Sequence, residues 1–326
     1  IPVASLVPLS MLPLFGVLSS KQVAQAYGHK LVLLLLGGFL LSRAMEKSGA
    51  HRRMALKMVS VCGGGGRSLV LGFMIASAGL SMWISNTATT LMMLPLIIAV
   101  LEKAEDKKLK IPLLLGVAFA ANVGGIGTPI GTPPNMVMIG YYETIKGLEI
   151  SFLEWMRVGT PVSIIMVVVI WFWVTRKIKS KSKIPLPHPG KWRTEEKRTL
   201  TVFFFTALAW MTRSSPFGGW KNLFGLVPEN DAGLYNLLSN ANDASVAFIA
   251  TIVLFCVPSG KKKGQKLLDW DTANQIPWGL VILVGSGICL GTAISESGLS
   301  EYAAGLLSGV SNFNTCLLYT SDAADE

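Results

Sequence analysis

The run from 68 to 101 is apolar except for a few small polar residues at its middle, and no ordinary membrane element accommodates it. A helix crosses the hydrocarbon core in about 20 residues, so the run is too long for one span and too short for two spans with a turn. Its flanks decide how it folds. Arg43, Lys47, Arg52, Arg53, Lys57 and Arg67 precede it, and Lys103, Lys107, Lys108 and Lys110 follow it. Basic loops stay on the cytoplasmic side of a membrane, so both ends of the run lie on one side. The economical solution is a re-entrant helical hairpin (68–101) whose tip, near Ser85-Asn86-Thr87, stops partway across. Composition supplies the membrane that this solution needs. Hydrophobic residues make up 51% of the 326 positions and charged residues 15%, where a soluble domain carries about 25% charge. The net charge of +10 sits in short loops between apolar runs. That distribution marks a lipid-bilayer protein and leaves no nucleic-acid partner.

A second stretch resists a continuous helix at the same depth. Between Asn122 and Asn135 stand Gly124, Gly125, Gly127, Thr128, Pro129, Gly131, Thr132, Pro133 and Pro134. Proline removes N–H donors and glycine frees the backbone, so 111–140 is predicted to be a broken helix. Unpaired carbonyls are costly in lipid but suit a bound cation. Gly124, Gly125, Pro129, Pro134 and Asn135 are the residues expected to shape the break. A plain kink or a small-residue helix contact needs far less glycine and proline than this.

Counted through from the basic loop at 43–67, the runs 111–140, 152–175, 199–212 and 244–258 cross alternately, and every basic loop falls on one side. Gly38-Phe-Leu-Leu-Ser-Arg-Ala-Met-Glu-Lys-Ser-Gly49 matches Gly287-Ile-Cys-Leu-Gly-Thr-Ala-Ile-Ser-Glu-Ser-Gly298 at an offset of 249, with opposite orientations in that count. Similar units in opposite orientations make an inverted repeat, an architecture of secondary transporters. The fold class is therefore an all-α polytopic membrane protein with re-entrant hairpins and broken helices. Its organisation is read as 1–212 for the first repeat with its flanking spans, and 213–315 for a connecting span and the start of the second. The partner hairpin is expected near position 334, so the second repeat is expected to be incomplete. The chain opens inside an apolar stretch without Met, and 316–326 reads like the translation of a sequencing-library adapter. Both ends are thus expected to be those of a fragment, with 316–326 left out of the fold.

Ser81, Ser85, Asn86, Thr87, Thr89 and Thr90 crowd the hairpin tip. Hydroxyl and amide oxygens suit a desolvated sodium ion, while amide and hydroxyl protons, with free N–H groups at a helix N-terminus, suit a carboxylate. Serine and threonine also bond their own helix at i−4, and a lone residue would be read that way. Neither motif holds an acidic or basic residue, which argues against a proton relay or a fixed cationic clamp. Lys47, Arg52 and Arg53 read as topology determinants. Cys62, Cys256, Cys289 and Cys316 lack metal-ligand spacing and read as packing residues. His29, His51 and His188 lie in loops. Ser85 has no base in its segment, so catalytic residues are not assigned and an intramembrane hydrolase is the weaker rival.

The two motifs, with 35–49 and 276–298, resemble the divalent anion:sodium symporter family, the sodium-coupled dicarboxylate and citrate transporters. The resemblance implies an elevator mechanism in a homodimer of the full-length protein, in the plasma membrane. It implies a first sodium site from Ser81, Ser85, Asn86 and the Gly131 carbonyl. It places the substrate against Ser85, Asn86, Thr87, Thr132 and Pro133. Sodium-coupled uptake of succinate, malate or fumarate is the leading expectation. Sulfate or citrate carriage and dicarboxylate exchange stand as alternatives on the same fold, and an anion channel as one of another class. The family has a second Ser-Asn-Thr and a second broken helix, which this chain lacks, so the polypeptide as given is not expected to transport.

Overall fold

The structure, a computed structural model, describes residues 2–62, 65–102, 104, 106–178, 190–214, 219–220, 240–261 and 264–308. Among them every regular element of more than one residue is a helix, and Pro258 and Lys266 form an isolated bridge. Four stretches are long and apolar enough to cross a membrane: Ser20–Ser48, Lys110–Gly127, Phe152–Thr175 and Trp278–Glu296. The chain divides into two compact units, 30–281 and the ends 1–29 with 282–326.

In the larger unit, α3 (Lys30–Ser48) and α4 (Ala50–Cys62) precede a helical hairpin, α5 (Gly66–Ser81) and α6 (Asn86–Leu101). Each hairpin arm has 16 residues and is about 24 Å long, less than the ~30 Å hydrocarbon core. Neither arm is long enough to cross that core fully on its own. Then come α7 (Lys110–Gly124), α8 (Pro133–Lys146), α9 (Phe152–Thr175) and α10 (Thr194–Thr212). The unit closes with α11 (Asp243–Cys256) and the single turn α12 (Trp270–Ala273). The ends that form the smaller unit carry α1 (Val7–Leu14), α2 (Ser20–Tyr27), most of α13 (Trp278–Glu296) and α14 (Leu299–Ser308). Within that unit Leu18, Val23 and Ala26 pack with Cys289 and Ala293, and Gln22 donates to Glu296 at 2.5 Å.

The core of the larger unit lies between the hairpin and α7, where Leu69, Phe73, Met74, Met93, Leu113 and Val117 are all buried. Small residues let the backbones meet: a Cβ on Gly124 would lie 2.4 Å from the Ala78 carbonyl oxygen. The Ser77 hydroxyl crosses the same contact to the Val117 carbonyl at 3.0 Å. Long apolar α9 begins on a capping box, with Ser151 and Glu154 satisfying each other's backbone N–H groups.

Two expectations need correction. The basic segment 43–67 is not an open loop: α3 runs on to Ser48, and α4 is amphipathic. Ala50, Ala55 and Val59 are buried while Arg52 and Lys57 face outward. The basic residues here also do more than set topology. Arg53 pairs with the buried Glu196 at 2.7 Å, and Lys47 with Asp269 at 2.6 Å. The Lys47 ammonium, helped by Thr272, lowers the Asp269 carboxyl to about 2.

The internal repeat has a local counterpart in structure. Both α3 and α13 have 19 residues. Gly49 (φ +76°) and Gly298 (φ +70°) follow them, and the next helix starts at once, at Ala50 and Leu299. That left-handed corner is why glycine recurs there. His188 and 316–326, with Cys316, lie outside the described residues.

Candidate functional site: the hairpin tip and the helix break

Four residues, 82–85, separate the arms of the hairpin. Ser85 caps α6, its hydroxyl accepting from the Ala88 N–H at 3.3 Å. Trp83 anchors the tip. Its ring stacks on Phe152 (centroids 6.0 Å) and Trp210 (6.4 Å) and meets Phe203 edge-on at 5.2 Å. Below the tip, the wholly buried Ser81 donates to the Asn86 amide oxygen at 2.6 Å. The Asn86 amide nitrogen donates to the side-chain oxygen of Asn122 on α7 at 3.3 Å. Thr90 bonds its own helix at the Asn86 carbonyl, 2.8 Å away. The Thr89 hydroxyl is buried with no hydrogen-bond partner among the described residues.

The break is narrower than 111–140 would imply. α7 ends at Gly124, a 3-10 turn covers Gly125–Gly127, and 128–132 is not helical. Pro133 and Pro134 open α8, where a missing N–H costs nothing. Pro134 and Asn135 thus belong to the first turn of the second half-helix. Asn135 still holds the break: its amide nitrogen donates to the carbonyls of Gly125 and Thr128, each at 2.8 Å. The Ile126 carbonyl accepts from the Trp155 indole at 2.9 Å, and that of Gly127 from the Thr160 hydroxyl at 3.0 Å. Thr128 in turn donates to the Met82 carbonyl of the tip. Most of the freed carbonyls are therefore satisfied by side chains. The Gly131 carbonyl is not: among the described residues it accepts no hydrogen bond.

Gly125 locates the meeting point of tip and break. A Cβ there would lie 2.8 Å from the Asn86 amide oxygen and 3.3 Å from the Gly131 carbonyl oxygen. On Gly131 a Cβ would lie 2.4 Å from the Gly125 carbonyl oxygen. Ser81, Asn86 and Gly131 thus bring uncharged oxygens to one small space that exists because residue 125 has no side chain. Such a hard, neutral oxygen set fits an alkali cation and offers nothing to a soft metal.

Ser85 and Thr87 face elsewhere, into a cavity of about 340 Å³. Its opposite wall is α3, through Ser42, Arg43 and Glu46, and Pro277 closes it. Thr132 and Pro133 are half-buried at the start of α8 and are not among its walls. Five contributors escaped the sequence reading. Asn122 had a signal, as the one amide on an apolar helix. Arg43 and Glu46 carried an i, i+3 charge pair on the face of α3, hidden among the basic flanks. Trp155 and Thr160 gave no signal, because their role depends on where the break lands.

A model of a family described as citrate transporters matches residues 1–321. The chain belongs to this family. Membership agrees with the resemblance to the divalent anion:sodium symporters, and it makes the chain a multi-pass protein of the plasma membrane, not an enzyme. Similar curated proteins include the sodium-dependent dicarboxylate transporters SdcS of Staphylococcus aureus strains USA300, NCTC 8325 and MRSA252. Each is 33% identical over 343 residues, a match covering 98% of this chain and 63% of the relative. The chain therefore spans a little under two thirds of their length.

Proposed function

We propose that the protein carries a di- or tricarboxylate across the plasma membrane together with sodium, with succinate, malate and fumarate as the first candidates. Sodium is a co-substrate held by the Ser81 hydroxyl, the Asn86 amide oxygen and the Gly131 carbonyl. Ser85 and Thr87 meet the carboxylate from the neighbouring cavity. Asn86 holds the ion and lies in sequence between Ser85 and Thr87, so it links the ion to the residues that meet the anion. The observation that carries the reading is the cradle at Gly125, where neutral oxygens converge and a methyl group would not fit.

The tip and the break are tied to each other by Thr128 to Met82 and by Asn86 to Asn122. Such ties favour their moving as one body against the remaining spans, the elevator motion, in a homodimer of the full-length protein. Relatives named for dicarboxylates favour succinate, and the family description favours citrate as the second reading. An anion channel would need no ion-binding cradle beside the anion site.

The test is uptake of labelled succinate, citrate and sulfate in parallel, by the full-length protein in proteoliposomes under a sodium gradient. Sodium-driven accumulation of a carboxylate is expected. Asn86→Ala is expected to reduce it about 100-fold, the factor that corresponds to about 3 kcal/mol of lost ligand energy. Accumulation without sodium, or untouched by this substitution, would overturn the assignment.

A further inference from the structure

The cavity before Ser85 and Thr87 has a cationic wall that neither motif supplies. Arg43 lies thirteen residues into an apolar helix, yet its guanidinium is held in place by three hydrogen bonds. Nε and Nη2 both donate to the Gln275 carbonyl, and Nη1 donates to Glu46 at 2.7 Å. A guanidinium has five N–H donors. Three are used, which leaves one N–H on each terminal nitrogen for a carboxylate ligand. Phe39 and Leu91 line the same cavity and give it apolar surface beside this guanidinium and the hydroxyls of Ser85 and Thr87. At about 340 Å³ the space suits a small ligand.

We propose that Arg43 is a substrate-contacting residue: its fork takes the second carboxylate of a short dicarboxylate whose first carboxylate lies against Ser85 and Thr87. The methylene carbons of the ligand pass along Phe39 and Leu91. The proposal rests on the functional reading above and adds to it the group that distinguishes a dicarboxylate from a monocarboxylate. Glu46 has two effects. It fixes the guanidinium plane, and its negative charge offsets part of the Arg43 field, so the dianion is recognised by geometry without being held too tightly to leave. A lysine at 43 would keep the charge and lose the fork.

The experiment compares the full-length protein with Arg43→Gln and Arg43→Lys in proteoliposomes. Half-saturation by succinate is expected to rise about tenfold or more in Arg43→Gln, with Arg43→Lys recovering only part of the loss. Inhibition by butyrate, which has one carboxylate, and half-saturation by sodium at saturating succinate are expected to stay within about twofold. Succinate half-saturation unchanged in Arg43→Gln would overturn the proposal. A second measurement needs no substitution. Arginines of the unaltered protein are labelled with phenylglyoxal and mapped by mass spectrometry. Succinate with sodium is expected to slow labelling of Arg43 and leave the exposed Arg176 unaffected; equal labelling of Arg43 with and without succinate overturns the proposal. Absence of sodium-driven uptake in the unsubstituted protein would bring down the function on which the proposal rests. Normal uptake with an indifferent Arg43→Gln would bring down the proposal alone.

Discussion

The chain interrupts its helices twice around the candidate site, at the hairpin tip (82–85) and at the break (125–132), and holds the two interruptions by different forces. The tip is fixed by ring packing. Trp83 lies among Phe152, Phe203 and Trp210, contacts that tolerate small changes of angle. The break is fixed by directional bonds. Asn135, Trp155 and Thr160 between them satisfy four consecutive carbonyls, from Gly125 to Thr128. The difference follows from what each must do. The tip must carry a polar motif into a cavity while its other side stays apolar. The break satisfies the backbone polar groups of its first half in a nearly waterless place, while the Gly131 carbonyl accepts no hydrogen bond among the described residues. Shape anchors the first, and hydrogen-bond geometry anchors the second.

The sharpest way to break this comparison is at the point where the two regions touch. Gly125→Ala places a methyl group 2.8 Å from the Asn86 amide oxygen. Sodium-dependent uptake in proteoliposomes is expected to fall about 100-fold or more, the loss assigned to a missing ligand, while the protein still purifies as a monodisperse species. Retained sodium dependence would mean that the two interruptions do not share an ion. The next effect separates the two kinds of anchor. Asn135→Leu keeps the branching of the side chain, with somewhat more bulk, and removes both donors, leaving two buried carbonyls unpaired. A loss of about 2–4 kcal/mol is expected, read as a lower unfolding temperature in detergent. The smallest effect belongs to the tip. Trp83→Phe keeps an aromatic ring within the cluster and should cost about 1 kcal/mol, with sodium half-saturation unchanged. If Trp83→Phe proved the costlier of the two, the distinction between packing and directional bonding would be wrong.

Legibility in the sequence followed the same division. The hairpin could be read from residue counts and flanking charge, and the structure places its arms at Gly66–Ser81 and Asn86–Leu101, close to the expected 68–101. The break could be read from glycine and proline, whose backbone preferences are local. Its limits could not. Whether Pro133 and Pro134 end one helix or begin the next depends on what can pair the carbonyls before them, and those partners sit far off at Trp155 and Thr160. For a related reason Arg43 was not singled out. In sequence it is one of a series of basic residues beside a hydrophobic run, and only the tertiary structure brings it into the lining of the same cavity as Ser85 and Thr87.

By itself, then, the sequence determined that the chain is helical, lives in a bilayer, and carries two stretches that cannot be plain spans. Length, hydropathy and charge asymmetry act residue by residue along the chain, and so they are visible without a fold. The tertiary structure alone decided which oxygens meet at Gly125, which carbonyls are already taken, and which charged pair lines the cavity. Those outcomes depend on distances of a few ångströms between segments remote in sequence, where a single hydrogen bond or a missing Cβ selects among arrangements that the residue pattern leaves equal.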